Sequence, residues 1–439
     1  MIAIPSGTPR QLARAWLWLG LIALIGSGLL AILLVFSRTP GIQDVFPLKD
    51  FFRSALIVHV DLSVAVWFMA FATVLWSAAG RSGGGLAGRI AVWLAVAGTV
   101  LMTVSPFFPD AQPLLNNYIP VLQQPVFYAS LWLCAAGFGL AVLRALLTTW
   151  PARPFADPLR LGVFIGAVAG AFAFIAFLWS WFTVPAGDGQ TYFEMVFWGG
   201  GHVLQYQHAL LMAVAWLWIA EHLGAKPVAT PRVLSVLFIV AALPLLAVPV
   251  IYLGWPADSP LHMAYFAKLM EWGHPYMGPL ILVALAGLWQ LRGVAHPAKS
   301  AFVASFVLFA AGGVLGYMIR GVNVVIPAHY HGAIVGVTLA FMGLAYALLP
   351  QLGFRAVEGR MARLQPYIYG GGQLMHVLGL AWSGGYGVQR KVAGAEQMLT
   401  TLPQKIGMGM MGLGGLIAII GGLLFVVVCL KSMWPRRGA

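Results

Sequence analysis

Ten histidines stand in a chain of 439 residues, and their distribution is uneven. His222 and His296 sit beside charged residues at helix ends, where capping or snorkelling accounts for them. His59, His202, His208, His262, His274, His329, His331 and His376 all fall in or beside apolar stretches. One such histidine alone is more often a helix-to-helix hydrogen-bonding residue than a ligand, whereas several at one depth favour a metal or heme. The pair in Pro327-Ala328-His329-Tyr330-His331 is the most informative. Residues i and i+2 on a helix are about 200° apart, so the two imidazoles point to opposite faces and cannot bind one ion together, though each can hold a different heme; two packing histidines are the alternative. An iron on His331 needs a second imidazole from another helix, and His59 lies at comparable depth in its own span. Two axial imidazoles saturate an iron and make it an electron carrier, while His329 alone leaves a position open for a small ligand.

Positioning such residues falls to elements that the composition identifies. Apolar and aromatic residues make up 61% of the chain and charged residues only 8%, against roughly 25% charged in a soluble domain. An ordinary soluble enzyme is excluded. Apolar stretches of about 20 residues, enough to cross a bilayer core, recur along the whole length. Breaking them at Pro, Gly and charge clusters gives spans near 13–36, 53–79, 87–106, 121–148, 160–185, 193–221, 232–253, 261–291, 300–319, 325–350, 364–384 and 407–430. The expectation is an all-α polytopic membrane protein of twelve transmembrane helices in a single domain, 1–439. The first span follows Arg10 and Arg14 and is too long for a signal-peptide core, so it reads as retained.

The excess of 25 Lys and Arg over 12 Asp and Glu needs no nucleic acid. Seventeen of the basic residues, Arg436 and Arg437 among them, fall at the termini and in the loops on one side, and 7 on the other, with Lys268 alone inside a span. By the positive-inside rule both termini are cytoplasmic. Cys134 and Cys429 lie in apolar spans, and no CxxC or CxxCH motif is present to hold zinc, a covalent heme or a redox pair. Ser82 to Gly85 and Gly370 to Gly372 read as turns or close-packing points rather than phosphate loops.

These residues resemble the heme-copper oxidase superfamily, catalytic subunit I, which includes the related nitric oxide reductases. The resemblance covers nearly the whole chain. His59 stands where the second helix of the family supplies a low-spin heme ligand, and Pro327 to His331, running into Leu348-Leu349-Pro350, is similar to the tenth helix. The resemblance implies His329 as proximal ligand of a high-spin heme and His331 as second ligand of the low-spin heme, both hemes expected to be of b type. Asn117-Tyr118-Ile119-Pro120 through Phe127-Tyr128 resembles the B-type connection into the fourth helix. His376 to Gly379, followed by Gly387-Val388-Gln389-Arg390-Lys391, resembles the end of the eleventh, where Arg390 and Lys391 would meet heme propionates. Trp198-Gly199-Gly200-Gly201-His202-Val203-Leu204-Gln205-Tyr206 is the counterpart of the sixth-helix motif, in which the histidine binds the copper or iron beside the high-spin heme. Tyr206 follows one helical turn later on the same face. The three glycines depart from the bulkier residues of the family and either admit something close to the backbone or serve helix packing.

The seventh helix departs further. In the family it ends with two adjacent histidines, but Pro249-Val250-Ile251-Tyr252-Leu253-Gly254-Trp255 has none, and no His-His pair occurs anywhere in the chain. A standard copper site is not encoded. Lys268, Glu271 and His274 follow at i, i+3 spacing in the eighth span, and charges there demand a partner. Glu271 and His274 with His202 make a two-histidine, one-carboxylate set suited to non-heme iron. An ion pair of Lys268 with Glu271, lining a proton or water path with no second metal, is an equal alternative.

The resemblance thus implies an oxidoreductase of a prokaryotic inner membrane, carrying a low-spin and a high-spin heme and one non-heme iron or copper. A separate cytochrome c or cupredoxin subunit, or quinol, supplies electrons from outside, and protons arrive through Glu271 or Tyr206. The substrate is a small diatomic, with nitric oxide ahead of dioxygen. The alternatives are a terminal oxidase with an atypical metal site and a heme-only electron-transfer or gas-binding subunit.

Overall fold

The computed structural model describes residues 2–39, 49–109, 111–392 and 394–434, which leaves Arg436 and Arg437 outside the described residues. The helices in chain order are α1 (Thr8–Arg38), α2 (Lys49–Val60), α3 (Trp67–Ala79), α4 (Gly85–Val104), α5 (Pro125–Thr148), α6 (Pro158–Thr183), α7 (Gly189–His222) and α8 (Pro231–Ala242). They continue as α9 (Ala247–Gly254), α10 (Pro260–Gly273), α11 (Gly278–Gln290), α12 (Pro297–Tyr317), α13 (Val325–Leu348), α14 (Arg360–Gly385) and α15 (Leu402–Met433). A π-helical stretch, Asp61–Val66, joins α2 to α3. Proline opens many of these helices, where its missing N–H costs nothing and its fixed φ suits the first turn. Thr230 and Ser259 cap α8 and α10 with their hydroxyls, and Thr401 with Gln404 forms a capping box on α15.

Ten segments are long and apolar enough to cross a membrane. The two expected spans outside that set are helical too. The 261–291 span is broken into α10 and α11 by a 3-10 turn at His274–Met277, because Pro275 lacks the N–H that would continue the ladder. The 364–384 span is α14, a continuous helix whose Gln, Tyr, His and Gly residues lower its hydropathy. The expectation of helix from residue 121 is corrected. Val121–Gln123 is a strand paired antiparallel with Gln112–Leu114, and α5 starts only at Pro125, after an extended Gln124.

The chain falls into two compact units. The first comprises the residues up to Ala23 and Val60–Arg292. Trp16, Trp67, Trp76, Trp216 and Trp218 are fully buried in it. Its helices α4 and α5 meet backbone to backbone, since a Cβ on Gly98 would fall 2.7 Å from the Cys134 nitrogen and one on Gly137 2.7 Å from the Ala91 oxygen. The second unit comprises Leu24–His59 and the residues from Gly293 onward. There Gly312 and Gly332 bring α12 against α13, and Gly372 and Gly379 on α14 lie 2.5 Å, at the Cβ position, from the backbone nitrogens of Ala418 and Met411 on α15. Small residues permit such approach where lipid tails offer no hydrophobic drive, so Gly370 and Gly372 are packing points within a helix, not a turn.

Candidate heme and metal centre

The second unit holds the three expected heme ligands. His59, in the last turn of α2, is clamped reciprocally to α1. Its Nδ1 lies 2.9 Å from the Ser27 carbonyl oxygen, and the Ser27 hydroxyl donates to the His59 carbonyl at 3.1 Å. His331 places Nδ1 2.8 Å from the Pro327 carbonyl one turn back on α13. His329 places Nδ1 2.7 Å from the Gly312 carbonyl of α12. In each case a main-chain oxygen holds Nδ1 and fixes the proton there, so that Nε2 is the nitrogen left with a lone pair for a ligand role. The donor set therefore fits heme. The i, i+2 pair does turn to opposite neighbours: His329 faces α12, whereas the His331 ring lies 4.9 Å, centroid to centroid, from that of His376 on α14. His376 is itself tied to α15 through the Met411 carbonyl at 2.9 Å.

Arg390 and Lys391 are half-buried in the segment after α14. Val388 accepts a hydrogen bond from the Val324 N–H at 3.0 Å, which ties this segment to the N-terminal end of the helix that carries His329 and His331. Lys391 adopts a left-handed φ of 62°, a conformation uncommon for a residue with a Cβ.

The first unit holds His202, 3% exposed, in an aromatic cage. The rings of Tyr118 and Trp198 each lie 4.6 Å from it, and Phe266 lies at 5.7 Å. Its Nδ1 is 2.6 Å from the Trp198 carbonyl. Tyr118 reaches this place from the loop between the two short strands. Glu194, near the start of α7, holds that loop by accepting from the Asn117 N–H at 3.1 Å and from the Asn117 side chain. Burial, with the Glu194 carboxylate adding to it, pushes the Tyr118 phenol above its ordinary range. The three glycines explain the fit, since Gly199, Gly200 and Gly201 lie against Tyr252, Phe177 and Tyr118 respectively, each where a Cβ would collide with a ring or its hydroxyl.

One turn after His202, Tyr206 is fully buried. Its hydroxyl donates to the Leu269 carbonyl at 2.5 Å, and its ring lies 4.5 Å from that of His274. Glu271 is not gathered with them. The buried face of α10 is His262, Phe266, Leu269 and Gly273, and Glu271 lies about 200° from Leu269 on the exposed side. The tighter 3-10 turn beginning at His274 changes the angular phase and brings that imidazole inward, so i, i+3 spacing does not place both residues on one face. Among the described residues no group of three or more His, Cys, Asp or Glu is arranged to hold a metal. The expected His202, Glu271 and His274 set is thus not assembled as a ligand shell.

Two buried polar residues carry no role in the sequence reading. His262 is fully buried between Tyr252 and Phe266, at 4.7 and 4.9 Å. Asp61 is 1% exposed, and neither carboxyl oxygen has a hydrogen-bond partner. An acidic residue inside an apolar span is a signal of function in its own right.

The family described as cytochrome c and quinol oxidase polypeptide I matches residues 11–424. The chain belongs to that family, the heme-copper oxidase subunit I superfamily. A protein of Rickettsia prowazekii (strain Madrid E), described only as uncharacterized, is 29% identical over 98% of this chain and 97% of its own length. Another so described, from Aquifex aeolicus (strain VF5), is 29% identical over 80% of this chain and 88% of its own. A heme-copper terminal oxidase dimer solved by cryo-EM shares the fold, with a TM-score of 0.72 at 17% identity over 99% of this chain and 86% of that one. This heme-copper oxidase family member is accordingly an integral membrane protein of the oxidoreductase class.

Proposed function

We propose that this protein is a respiratory heme oxidoreductase that passes electrons from an outer donor to a small diatomic, in the manner of a nitric oxide reductase. The observation that carries the reading is the shared geometry of His59, His331 and His329, each held at Nδ1 by a main-chain oxygen. In it His59 and His331 would hold a low-spin heme and His329 a high-spin heme, both of b type. The hemes would supply one-electron transfer and an open iron position for the gas. Ser27, Pro327 and Gly312 orient the three imidazoles, and Arg390 with Lys391 serves the propionates at the N-terminal end of α13. Tyr206 is a buried proton-bearing group of the first unit, one turn from His202. Nitric oxide is favoured over dioxygen because the adjacent histidines that copper would need are absent from 249–255. Twelve spans with both termini in the cytoplasm, a prokaryotic inner membrane, one domain over the whole chain, and a separate cytochrome c, cupredoxin or quinol donor complete the reading.

A heme-only electron-transfer or gas-binding subunit is the second reading, favoured by the exposed position of Glu271. Heme and elemental analysis of the purified protein separates the cases. Two hemes with one further iron support the reductase, two hemes with copper the oxidase, and two hemes alone the heme-only subunit. A protein without heme would overturn all three.

A further inference from the structure

Within the first unit, the loop from α3 into α4 covers a buried arginine. Arg144, in the last turn of α5, is 6% exposed, and its Nε and Nη2 have no hydrogen-bond partner. It makes no ion pair with a carboxylate among the described residues. Above it lies the start of α4, a helix of 20 residues whose N-cap is Gly84, in the left-handed region with φ 66° and without a side chain to cap the helix. The arginine reaches this end. Its Cγ lies 3.5 Å and its Nε 3.7 Å from the Cβ position of Gly84, and its Cδ 3.3 Å from that of Gly88. The arrangement is held in place, because the Arg81 N–H donates to the Thr148 carbonyl at 3.1 Å.

The electrostatics of this arrangement are unresolved within the protein. A helix N-terminus carries about half a positive charge and unbonded N–H groups, and here it meets a guanidinium whose Nε and Nη2 are withdrawn from water. Leaving charged donors buried and unmet is costly. An anion between them resolves both costs, and a guanidinium beside backbone N–H groups is the donor set that phosphate takes. Glycine at 84 and 88 lets the arginine stem lie directly against the start of α4.

We propose that Arg144 and the N-terminus of α4 bind a phosphate group. A lipid headgroup is its expected source. A groove of about 240 Å³ runs along α4 from Arg89 to Trp93, just beyond this end, and is lined also by Thr8 and Leu12. Leu86 and Trp93 stand 69% and 71% exposed on that helix, facing outward as an acyl chain requires. Basic pockets between helices on the cytoplasmic side suit anionic phospholipids. Ser82 to Gly85, a turn by its sequence, acquires this role only because Arg144 lies beneath it.

Native mass spectrometry of the full-length detergent-purified protein tests the site, with phosphatidylglycerol, diacylglycerol and inorganic phosphate as probes. One phosphatidylglycerol should bind more tightly than the rest, and diacylglycerol should not replace it. Arg144→Gln should weaken it roughly tenfold to a hundredfold, as the loss of charge-assisted bonds implies. Arg89→Gln, at an exposed position, should weaken it about fivefold and keeps the test decisive if the first variant fails to assemble. Competition by inorganic phosphate at millimolar concentration would keep the site and make its source the free anion. Equal binding of diacylglycerol, or unchanged affinity in both variants, would overturn the proposal.

Discussion

Gly316→Ala offers the sharpest test of the high-spin heme site. A Cβ at that position would fall 2.8 Å from Nδ1 and 2.9 Å from Cε1 of His329, closer than side chains tolerate. The imidazole must turn, and it is held by a 2.7 Å contact from Nδ1 to the Gly312 carbonyl. Relief of the clash therefore breaks the bond that aims Nε2. Loss of an orienting partner behind a ligating histidine costs roughly 10- to 100-fold in metal affinity, which corresponds to about 1.4 to 2.7 kcal/mol. Gly313→Ala is the matched control, because the same Cβ there meets nothing within 4 Å and the gain in helix propensity is of the same sign. Optical and EPR spectra of the two variants, titrated with carbon monoxide, should show high-spin heme depleted only in Gly316→Ala, with the low-spin signal intact. Full high-spin occupancy in Gly316→Ala would refute both the clash argument and the role of His329.

His59→Ala or His331→Ala should abolish the low-spin spectrum while the high-spin heme stays bound, and His329→Ala should do the reverse; a six-coordinate low-spin signal surviving both of the first two would sink that assignment. Glu271→Gln should leave metal and heme content intact in an elemental assay, since the carboxylate lies on the exposed side of α10; loss of non-heme metal would show that it ligates after all. A reporter fused at the C-terminus should be cytoplasmic and one inserted near Ala257 exported, and inverted labelling would overturn the topology.

Apolar length and histidine spacing were enough to read most of the helices and the opposed directions of His329 and His331, because both follow from a fixed 100° per residue. The same rule misled at Glu271 and His274. It holds only while the helix stays regular, and the change to a 3-10 turn at His274 is dictated by Pro275 together with the packing of Tyr206 against Gly273. Spacing also says that two residues share a face without saying which face turns inward, and α10 turns His262 and Phe266 inward instead. The hairpin before α5 escaped because its strands are three residues each and border an apolar run. Asp61 is legible in the sequence as a carboxylic acid amid Val, Leu and Ala, but its burial without a partner is not, because the sequence does not say which face of the span turns inward.

The glycine triplet in α7 is a lock with three keys, since rings from three separate segments each enter one of its positions. The pairs 199 with 252, 200 with 177 and 201 with 118 are therefore bound to change together over evolutionary time. A relative that gains bulk at one of the three glycines must lose it in the matching ring or shift the segment that bears it. The same coupling fixes the rotational setting of α7, because a slip by one residue would drive Trp198 or His202 into a space cut for no side chain at all.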